Sequence, residues 1–150
     1  MTHDTHTYTP LTRAGVDVRA DAVTRTLYST DASIYQIEPL AVAFPRHVDE
    51  INAIVDFAAA RGIPVLPRGA GSSLAGQAVG AAIILDLSRY LDKLIQIDPE
   101  ARTARAQPGL ILARLNQAAA AHGLQFGPTT PAARTPSPMV CQPTTCSPPK

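Results

Sequence analysis

Two segments of this 150-residue chain repeat the same succession of structural signals, and these signals limit the fold more than any other feature. In each segment apolar residues recur at helical spacing, a glycine follows, and a short apolar stretch leads into a loop rich in proline and glycine. The helices are predicted to end before Gly62 and before Gly123. Helices that alternate with short strands indicate an α/β fold with a parallel sheet, whose loops at strand ends bind ligands. Two copies of so common a connection do not establish an internal duplication.

Other patterns predict the elements around these two units. A short helix is expected near residues 21–28, and residues 1–14 are expected to form a flexible, frayed terminus. Strands are predicted at residues 40–44, 63–66 and 82–87, and the nearly continuous apolar character of the last one indicates burial on both faces. A hairpin is predicted from residues 94–97 and 103–106, since Asp98 and Pro99 suit the first two positions of a type I turn.

The composition changes sharply near residue 128. Seven of the 14 prolines and both cysteines lie in the last 23 residues, where Arg134 and Lys150 are the only charged residues. Because proline lacks an N–H donor and fixes φ, we expect neither a helix nor a central strand there and predict a disordered tail over residues 131–150. Cys141 and Cys146 have no nearby histidine or second cysteine pair, so they are interpreted as free thiols rather than a metal site.

Composition also excludes several classes of function. Lysine and arginine number 13 against 12 acidic residues, which argues against nucleic acid or an anionic membrane surface as the main partner. No apolar run is long enough to span a membrane, and the first residues lack the basic and apolar segments of a secretory signal. The first 126 residues contain no cysteine, so a cytoplasmic location is the default. His3 and His6, on an exposed end, are expected to be solvated rather than to bind metal.

The segment with the clearest chemistry is a glycine-rich loop at residues 67–77, directly after a predicted strand. Glycines allow successive backbone N–H groups to converge on an anion, while serine hydroxyls and an arginine add donors and positive charge. Such a loop suits a pyrophosphate, although its spacing matches neither the Gly-x-Gly-x-x-Gly pattern nor a P-loop. From the residues alone, a flexible turn between two strands is an equally good interpretation.

Five motifs, taken in their order along the chain, make a family resemblance specific although each is modest by itself. They lie at residues 30–35, 39–45, 67–77, 85–88 and 107–109. Over residues 28–131 the chain resembles the first part of the FAD-linked oxidase domain of the p-cresol methylhydroxylase type, in the branch of D-lactate dehydrogenase and glycolate oxidase. The resemblance implies that residues 15–130 form part of an FAD-binding domain, the first subdomain, with a small, mainly parallel sheet and flanking helices.

The resemblance also implies roles for particular residues. The backbone amides of the glycine-rich loop would wrap the FAD pyrophosphate, and a turn before the second helix would lie near the nucleotide. The implied cofactor-binding residues are Arg68, Gly69, Ala70, Gly71, Ser72, Ser73, Gly76, Gln77, Pro108, Gly109 and Pro128, the last of them in a loop that reaches towards the flavin ring. Asp31, Ser33 and Tyr35 also match the family, but they are expected to pack against or cap the first strand of the domain.

One departure from the family bears on how FAD would be held. Covalent members carry a flavin-linked histidine at the position of Ser72, and a serine has no ring nitrogen to form that bond. The resemblance therefore implies non-covalent FAD. His47 and His122 lie at a predicted helix start and helix end, and they do not replace the missing histidine.

A second departure concerns the activity. Relatives continue with a glycine- and asparagine-rich stretch, a second FAD-binding subdomain and a substrate domain with catalytic histidines, whereas this chain turns into its proline-rich tail; we expect a truncated or frameshifted gene. The implied parent activity is flavin-dependent oxidation of a 2-hydroxy acid such as D-lactate or glycolate, with an iron–sulfur domain or subunit as electron acceptor. No catalytic residue is assigned, and the chain alone is expected to be inactive. A non-catalytic nucleotide-binding module and an inactive fragment remain alternatives.

Overall fold

The computed structural model describes residues 5–127 and 144–147. A 3-10 helix at Thr5–Tyr8 precedes eight strands and four α-helices. The helices are α1 (Thr9–Arg13), α2 (Ala22–Leu27), α3 (Val48–Ala59) and α4 (Leu112–Ala120). The strands are β1 (Asp17–Arg19), β2 (Ala41–Phe44), β3 (Val65–Arg68), β4 (Ile83–Asp86), β5 (Leu94–Asp98), β6 (Thr103–Ala106), β7 (Gln125–Phe126) and β8 (Thr144–Ser147). None of the helices in the described ranges is long and apolar enough to cross a membrane.

The first sheet has the strand order β1-β2-β4-β3. Strands β2, β4 and β3 run parallel, and β1 is antiparallel to β2. All four residues of β2 and of β4 are buried, which confirms the prediction that β4 is covered on both faces. One face packs against α1 and α3, whereas the other carries Val42, Phe44 and Ile84 under a cover that includes Tyr28 and Tyr90.

The N-terminal segment is part of this core, so the prediction of a frayed terminus is wrong for residues 5–14. Tyr8 and Leu11 are 1% and 2% exposed, and the ring centroids of Tyr8 and Phe57 lie 6.0 Å apart. Without these apolar side chains, one end of α3 would lose its cover. The sequence prediction treated the segment as a chain end, and it gave no weight to these two apolar side chains.

Strand β3 begins two residues later than predicted, and it extends through Pro67 and Arg68. The parallel register pairs Arg68 with Asp86, and the Leu87 N–H donates to the Arg68 carbonyl at 3.0 Å. Proline is tolerated because β3 is an edge strand of the sheet, where a missing donor costs no ladder bond. The glycine-rich loop therefore begins at Gly69.

Both predicted helix ends are confirmed. Gly62 and Gly123 adopt φ of 62° and 67°, in the left-handed region that favours glycine. After each glycine, the next N–H bonds back across the last helical turn, from Ile63 to the Ala58 carbonyl at 3.0 Å and from Leu124 to the Ala119 carbonyl at 3.1 Å. These are the bonds of a Schellman motif.

The second sheet has the order β5-β6-β8-β7, and all its pairings are antiparallel. The predicted hairpin of β5 and β6 is confirmed, with Asp98 Oδ1 accepting from the Ala101 N–H at 2.9 Å. The prediction of a parallel sheet is correct for the first unit and wrong for the second, because β7 follows α4 into this antiparallel sheet. Its core contains Leu110, Leu112 and Leu115.

The prediction that no central strand forms in the tail is wrong at β8, which lies between β6 and β7. Thr144–Ser147 contains no proline, although Pro143 and Pro148 flank it, and two of its four residues are β-branched threonines. The rest of the predicted tail, including Cys141, lies outside the described residues.

Candidate functional site

The glycine-rich loop leaves the carboxyl end of β3 and returns to β4, its parallel neighbour. Ligands of open α/β sheets bind at this edge, because loops from adjacent strands converge there. Gly71 and Gly76 have φ of 69° and 78°, which only glycine adopts without strain. Two reversals of this kind turn the backbone around a cavity.

The loop borders a half-open pocket of about 250 Å³. The residues that line it are Pro67, Arg68, Gly69, Gly71, Ser72, Ser73, Gln77 and Ala78. Six of them belong to the predicted cradle, so the structure brings this part of the prediction into one place. Pockets for whole drug-sized ligands are typically about 300–1,000 Å³. The volume here suits one polar part of a dinucleotide, such as its diphosphate.

The two serines of the loop differ in what they contact. The Ser73 hydroxyl bonds to the Gln77 side-chain carbonyl and accepts from the Gln77 N–H at 3.2 Å. These contacts close the loop at the predicted position. The Ser72 hydroxyl is exposed and makes no hydrogen bond within the described ranges, so it is available to a ligand.

The guanidinium of Arg68 faces inward. Arg68 is 8% exposed, and its Nη1 donates to the carbonyls of Ala78 at 2.9 Å and Tyr28 at 3.2 Å. Nη2 donates to the Thr30 carbonyl at 2.8 Å. Sequence reasoning could not identify these acceptors, because every residue carries a backbone carbonyl and only the fold selects three of them.

Residues 31–35 brace the glycine-rich loop, which goes beyond the packing role predicted for them. Asp31 Oδ1 accepts from the Ser33 hydroxyl at 2.5 Å and from the Ser33 N–H at 2.8 Å. Its Oδ2 accepts from the Ala78 N–H at 3.3 Å. The Ser33 hydroxyl bond, with smaller contributions from the two N–H groups, lowers the pKa of Asp31. The Tyr35 ring lies so close to Gly76 that a Cβ there would be 2.6 Å from it.

A partly buried pair lies beneath the same loop. The Tyr28 hydroxyl donates to Asp86 Oδ2 at 2.5 Å, and the Ser88 hydroxyl and N–H donate to Oδ1 at 2.6 and 2.9 Å. Burial, and then the bond to Asp86, raise the pKa of Tyr28, so the phenol stays protonated and continues to donate. The guanidinium carbon of Arg68 lies 5.1 Å from the Tyr28 ring centroid, a cation–π distance.

The turn before α4 lies against the segment that follows β4. The Gly109 N–H donates to the Leu91 carbonyl at 2.7 Å, and a Cβ at Gly109 would lie 2.2 Å from the Leu87 carbonyl oxygen. Within the described residues, Pro108 and Gly109 are not among those that line the pocket. Pro128, the last predicted cofactor residue, lies outside the described residues.

The histidines occupy the helix ends that were predicted. His47 is the N-cap residue of α3, and its Nε2 lies 3.4 Å from Oε1 of the buried Glu50. Glu50 also accepts from the Arg46 N–H at 2.8 Å, which accounts for a buried carboxylate that the sequence analysis missed. His122 follows α4. No group of three or more metal-ligating side chains occurs in the part of the chain that the structure describes.

Comparisons with known proteins agree on one family. Residues 39–140 match the FAD binding domain family. The chain is 36% identical over 114 residues to the D-2-hydroxyglutarate dehydrogenase of Pseudomonas putida, covering 74% of this chain and 11% of that enzyme. It is 35% identical over 108 residues to the glycolate oxidase subunit GlcD of Bacillus subtilis, covering 69% of this chain and 23% of that subunit. The chain thus spans less than a quarter of these relatives.

Solved structures agree with the fold. A crystal structure of p-cresol methylhydroxylase superposes with a TM-score of 0.71 at 19% identity, covering 87% of this chain and 28% of that one. A structure of alkyldihydroxyacetonephosphate synthase gives a TM-score of 0.67 at 18% identity, covering 79% of this chain and 25% of that one. At these identities the match establishes the fold, and it confirms the predicted fold class.

Proposed function

Because this chain belongs to the FAD binding domain family, whose match covers residues 39–140, we propose that its glycine-rich loop binds the diphosphate of FAD. The observation that carries the proposal is the pocket of about 250 Å³ at the carboxyl end of β3. Backbone N–H groups of the loop and the free hydroxyl of Ser72 would donate to the phosphate oxygens. The FAD would be held without a covalent bond, since Ser72 stands where covalent relatives carry histidine.

The residues present fit a diphosphate. Gly71 and Gly76 let the loop fold tightly against Arg68 and Tyr35, with which a Cβ at either position would collide. The buried positive charge of Arg68 lies under the loop, and no acidic side chain in the described ranges forms an ion pair with it. An anion in the pocket would be attracted to that charge through a medium of low dielectric constant.

For the complete protein, the proposed activity is oxidation of a 2-hydroxy acid. Two of the relatives are named for D-2-hydroxyglutarate and glycolate, which are both 2-hydroxy acids. When bound, FAD supplies the two-electron chemistry that takes a 2-hydroxy acid to its 2-oxo acid. The described residues of this chain bind and orient the cofactor, and none of them is assigned to the substrate.

The proposed electron acceptor is an iron–sulfur domain or a separate subunit, in a cytoplasmic enzyme. The relative from Bacillus subtilis is named as a subunit, which supports an assembly of more than one chain. Electron paramagnetic resonance of the complete, substrate-reduced protein would test this part. Absence of an iron–sulfur signal would refute it.

The binding experiment uses the full chain with FAD, ADP and riboflavin. Because the loop recognises a diphosphate, we expect FAD and ADP to raise the melting temperature and to compete with each other, while riboflavin does neither. Acid precipitation should release all bound FAD into the supernatant, as a non-covalent complex requires.

A matched pair of variants at the exposed Ser72 sharpens the result. Ser72→Asp places a negative charge in the pocket and should weaken FAD on the order of tenfold, whereas the neutral and similarly sized Ser72→Asn should retain binding. Equal affinities for FAD and riboflavin, or equal effects of the two variants, would contradict a diphosphate site.

A further inference from the structure

We propose that Arg68 is a positioning residue, whose guanidinium shapes the glycine-rich loop for its ligand without contacting the diphosphate. The inference rests on the proposed function, since it concerns the same pocket. It differs from the sequence-based expectation, in which the arginine supplies charge directly to the pyrophosphate.

The first observation is how the guanidinium is used. It makes three hydrogen bonds to backbone carbonyls, at Tyr28 and Thr30 on one segment and at Ala78 at the end of the loop. One side chain therefore joins β3, the segment after α2 and the returning end of the loop. To reach a diphosphate, Arg68 would have to leave the buried Ala78 carbonyl and two partly buried carbonyls without their donors, which is unfavourable.

The second observation is that Ala78 is held at both of its peptide groups. Its carbonyl accepts from Arg68 at 2.9 Å, and its N–H donates to Asp31 at 3.3 Å. A cation thus binds the acceptor and a carboxylate binds the donor of one buried residue, which fixes the orientation of the chain there. The loop between Gly69 and Ala78 must therefore return to this fixed position.

The third observation is the contact between the loop and the guanidinium. A Cβ at Gly71 would lie 2.5 Å from Nη2 and 2.8 Å from Cζ of Arg68, so only a glycine lets the backbone rest on the guanidinium. The Gly71 carbonyl accepts from the Ala32 N–H at 3.0 Å, which holds the loop down from the other side. The guanidinium plane therefore sets how deep Gly71 lies in the pocket.

The variant Arg68→Lys distinguishes a positioning role of Arg68 from direct contact with the diphosphate. An ammonium group is a good partner for phosphate as a point charge, but it lacks the planar fork that bonds several carbonyls in fixed directions. If Arg68 contacted the diphosphate, Arg68→Lys would keep most of the affinity. If Arg68 positions the loop, the same change should weaken FAD and ADP alike, on the order of tenfold, despite the retained charge.

The matched control is Arg61→Lys. Arg61 also donates to a backbone carbonyl, that of Phe57 at 3.3 Å, and its guanidinium carbon lies 3.9 Å from the Phe57 ring centroid. It lies at the end of α3, away from the loop, so its replacement should leave the affinity for FAD unchanged. Thermal unfolding of both variants shows whether they fold.

A double-mutant cycle adds a test of the contact at Gly71. Gly71→Ala should weaken FAD strongly in the wild type, because the new methyl group meets Nη2 and Cζ. In the Arg68→Lys background those atoms are absent, and the additional loss should be smaller, with only the strain of the positive φ remaining. Additive losses would overturn the proposal.

Amide hydrogen exchange tests the inference without any ligand. In the full chain, Arg68→Lys should speed exchange at residues 69–78 and leave β2 and β4 protected. If Arg68→Lys does not fold, Asp31→Asn is the second variant, and it should increase exchange in the same residues because Ala78 loses one of its two partners. Unchanged exchange in the loop would overturn the positioning role. If the wild type binds neither FAD nor ADP, but the variants exchange faster at residues 69–78 as expected, the proposed function is refuted and the positioning role of Arg68 stands.

Discussion

The two helix–glycine–strand units are locally alike and end in different environments. Gly62 and Gly123 have φ values within 5° of each other, and both helices end in the same pair of hydrogen bonds. The strand after Gly62 runs parallel to its neighbour, whereas the strand after Gly123 pairs antiparallel with β8. The ending of a helix is therefore a local property, whereas the direction of strand pairing depends on the partner.

The partner strands explain the difference. Strand β4 is buried along its whole length and needs cover on two faces, which a parallel neighbour with crossover helices provides. Strands β5 and β6 contain no fully buried residue, so one face can remain in solvent. The first unit therefore forms the interior of the domain, and the glycine-rich loop at its strand end is supported by a rigid frame.

The largest predicted effect tests this contrast in burial. Ile84→Ala, in the centre of the first sheet, should lower the free energy of unfolding by about 3 to 4 kcal/mol, because a side chain with 0% exposure leaves a cavity between β4 and the cover above it. Ile95→Ala, on β5, should cost less than about 1 kcal/mol, since Ile95 is 57% exposed. Chemical denaturation measures both. An equal cost would mean that the second sheet is covered on both faces.

The next effect concerns the junction between the units. Gly109→Ala should destabilise the chain by about 2 to 3 kcal/mol, because its methyl group would lie 2.2 Å from the backbone carbonyl oxygen of Leu87, which cannot rotate away. Gly127→Ala is the control, since a Cβ there meets nothing within 4 Å. If Gly109→Ala were as mild as its control in thermal unfolding, the two units would not be closely joined at this turn.

The same contrast between local signals and distant partners explains which parts of the structure could be predicted from the sequence. Local signals suffice for the helix ends at Gly62 and Gly123 and for the hairpin turn at Asp98, since each depends on residues a few positions apart. The residues that line the pocket were also singled out, because the glycines and serines of the loop are adjacent in the chain, and their role towards an anion stays a prediction. The burial of Tyr8 depends on a ring far along the sequence, and no local pattern indicates it.

Arg68 shows most clearly which contacts a sequence pattern cannot predict. Its charge beside three glycines suggests an anion ligand, and the sequence analysis assigned it to the pyrophosphate. Its acceptors are carbonyls 40, 38 and 10 residues away, which carry no side-chain signal. The direction of strand β7 was missed for the same reason, because pairing partners distant in sequence decide it.

A smaller effect tests whether the two helix ends are equivalent. Gly62→Ala and Gly123→Ala should each lower the free energy of unfolding by about 1 kcal/mol. Alanine is strained in the left-handed conformation, although its methyl group would meet nothing within 4 Å. Denaturant titration of each variant, with unchanged m-values, gives the two costs. A difference greater than about 1 kcal/mol would show that tertiary contacts, rather than the local motif, hold one of the ends.

The smallest effect lies in the segment that braces the glycine-rich loop. The pKa of Asp31 is lowered in the folded chain, chiefly by the Ser33 hydroxyl, so its contribution to stability is present above its unfolded value of about 3.9 and is lost as pH falls through the folded value. Asp31→Asn should therefore destabilise the chain near pH 7 and have a diminishing effect below pH of about 4. Ser33→Ala should raise the pKa of Asp31, measured by NMR titration of its carboxyl carbon. If that pKa stays low without the hydroxyl, the N–H groups of Ser33 and Ala78 are its main support, and the backbone rather than the Ser33 side chain holds the carboxylate in its bracing position.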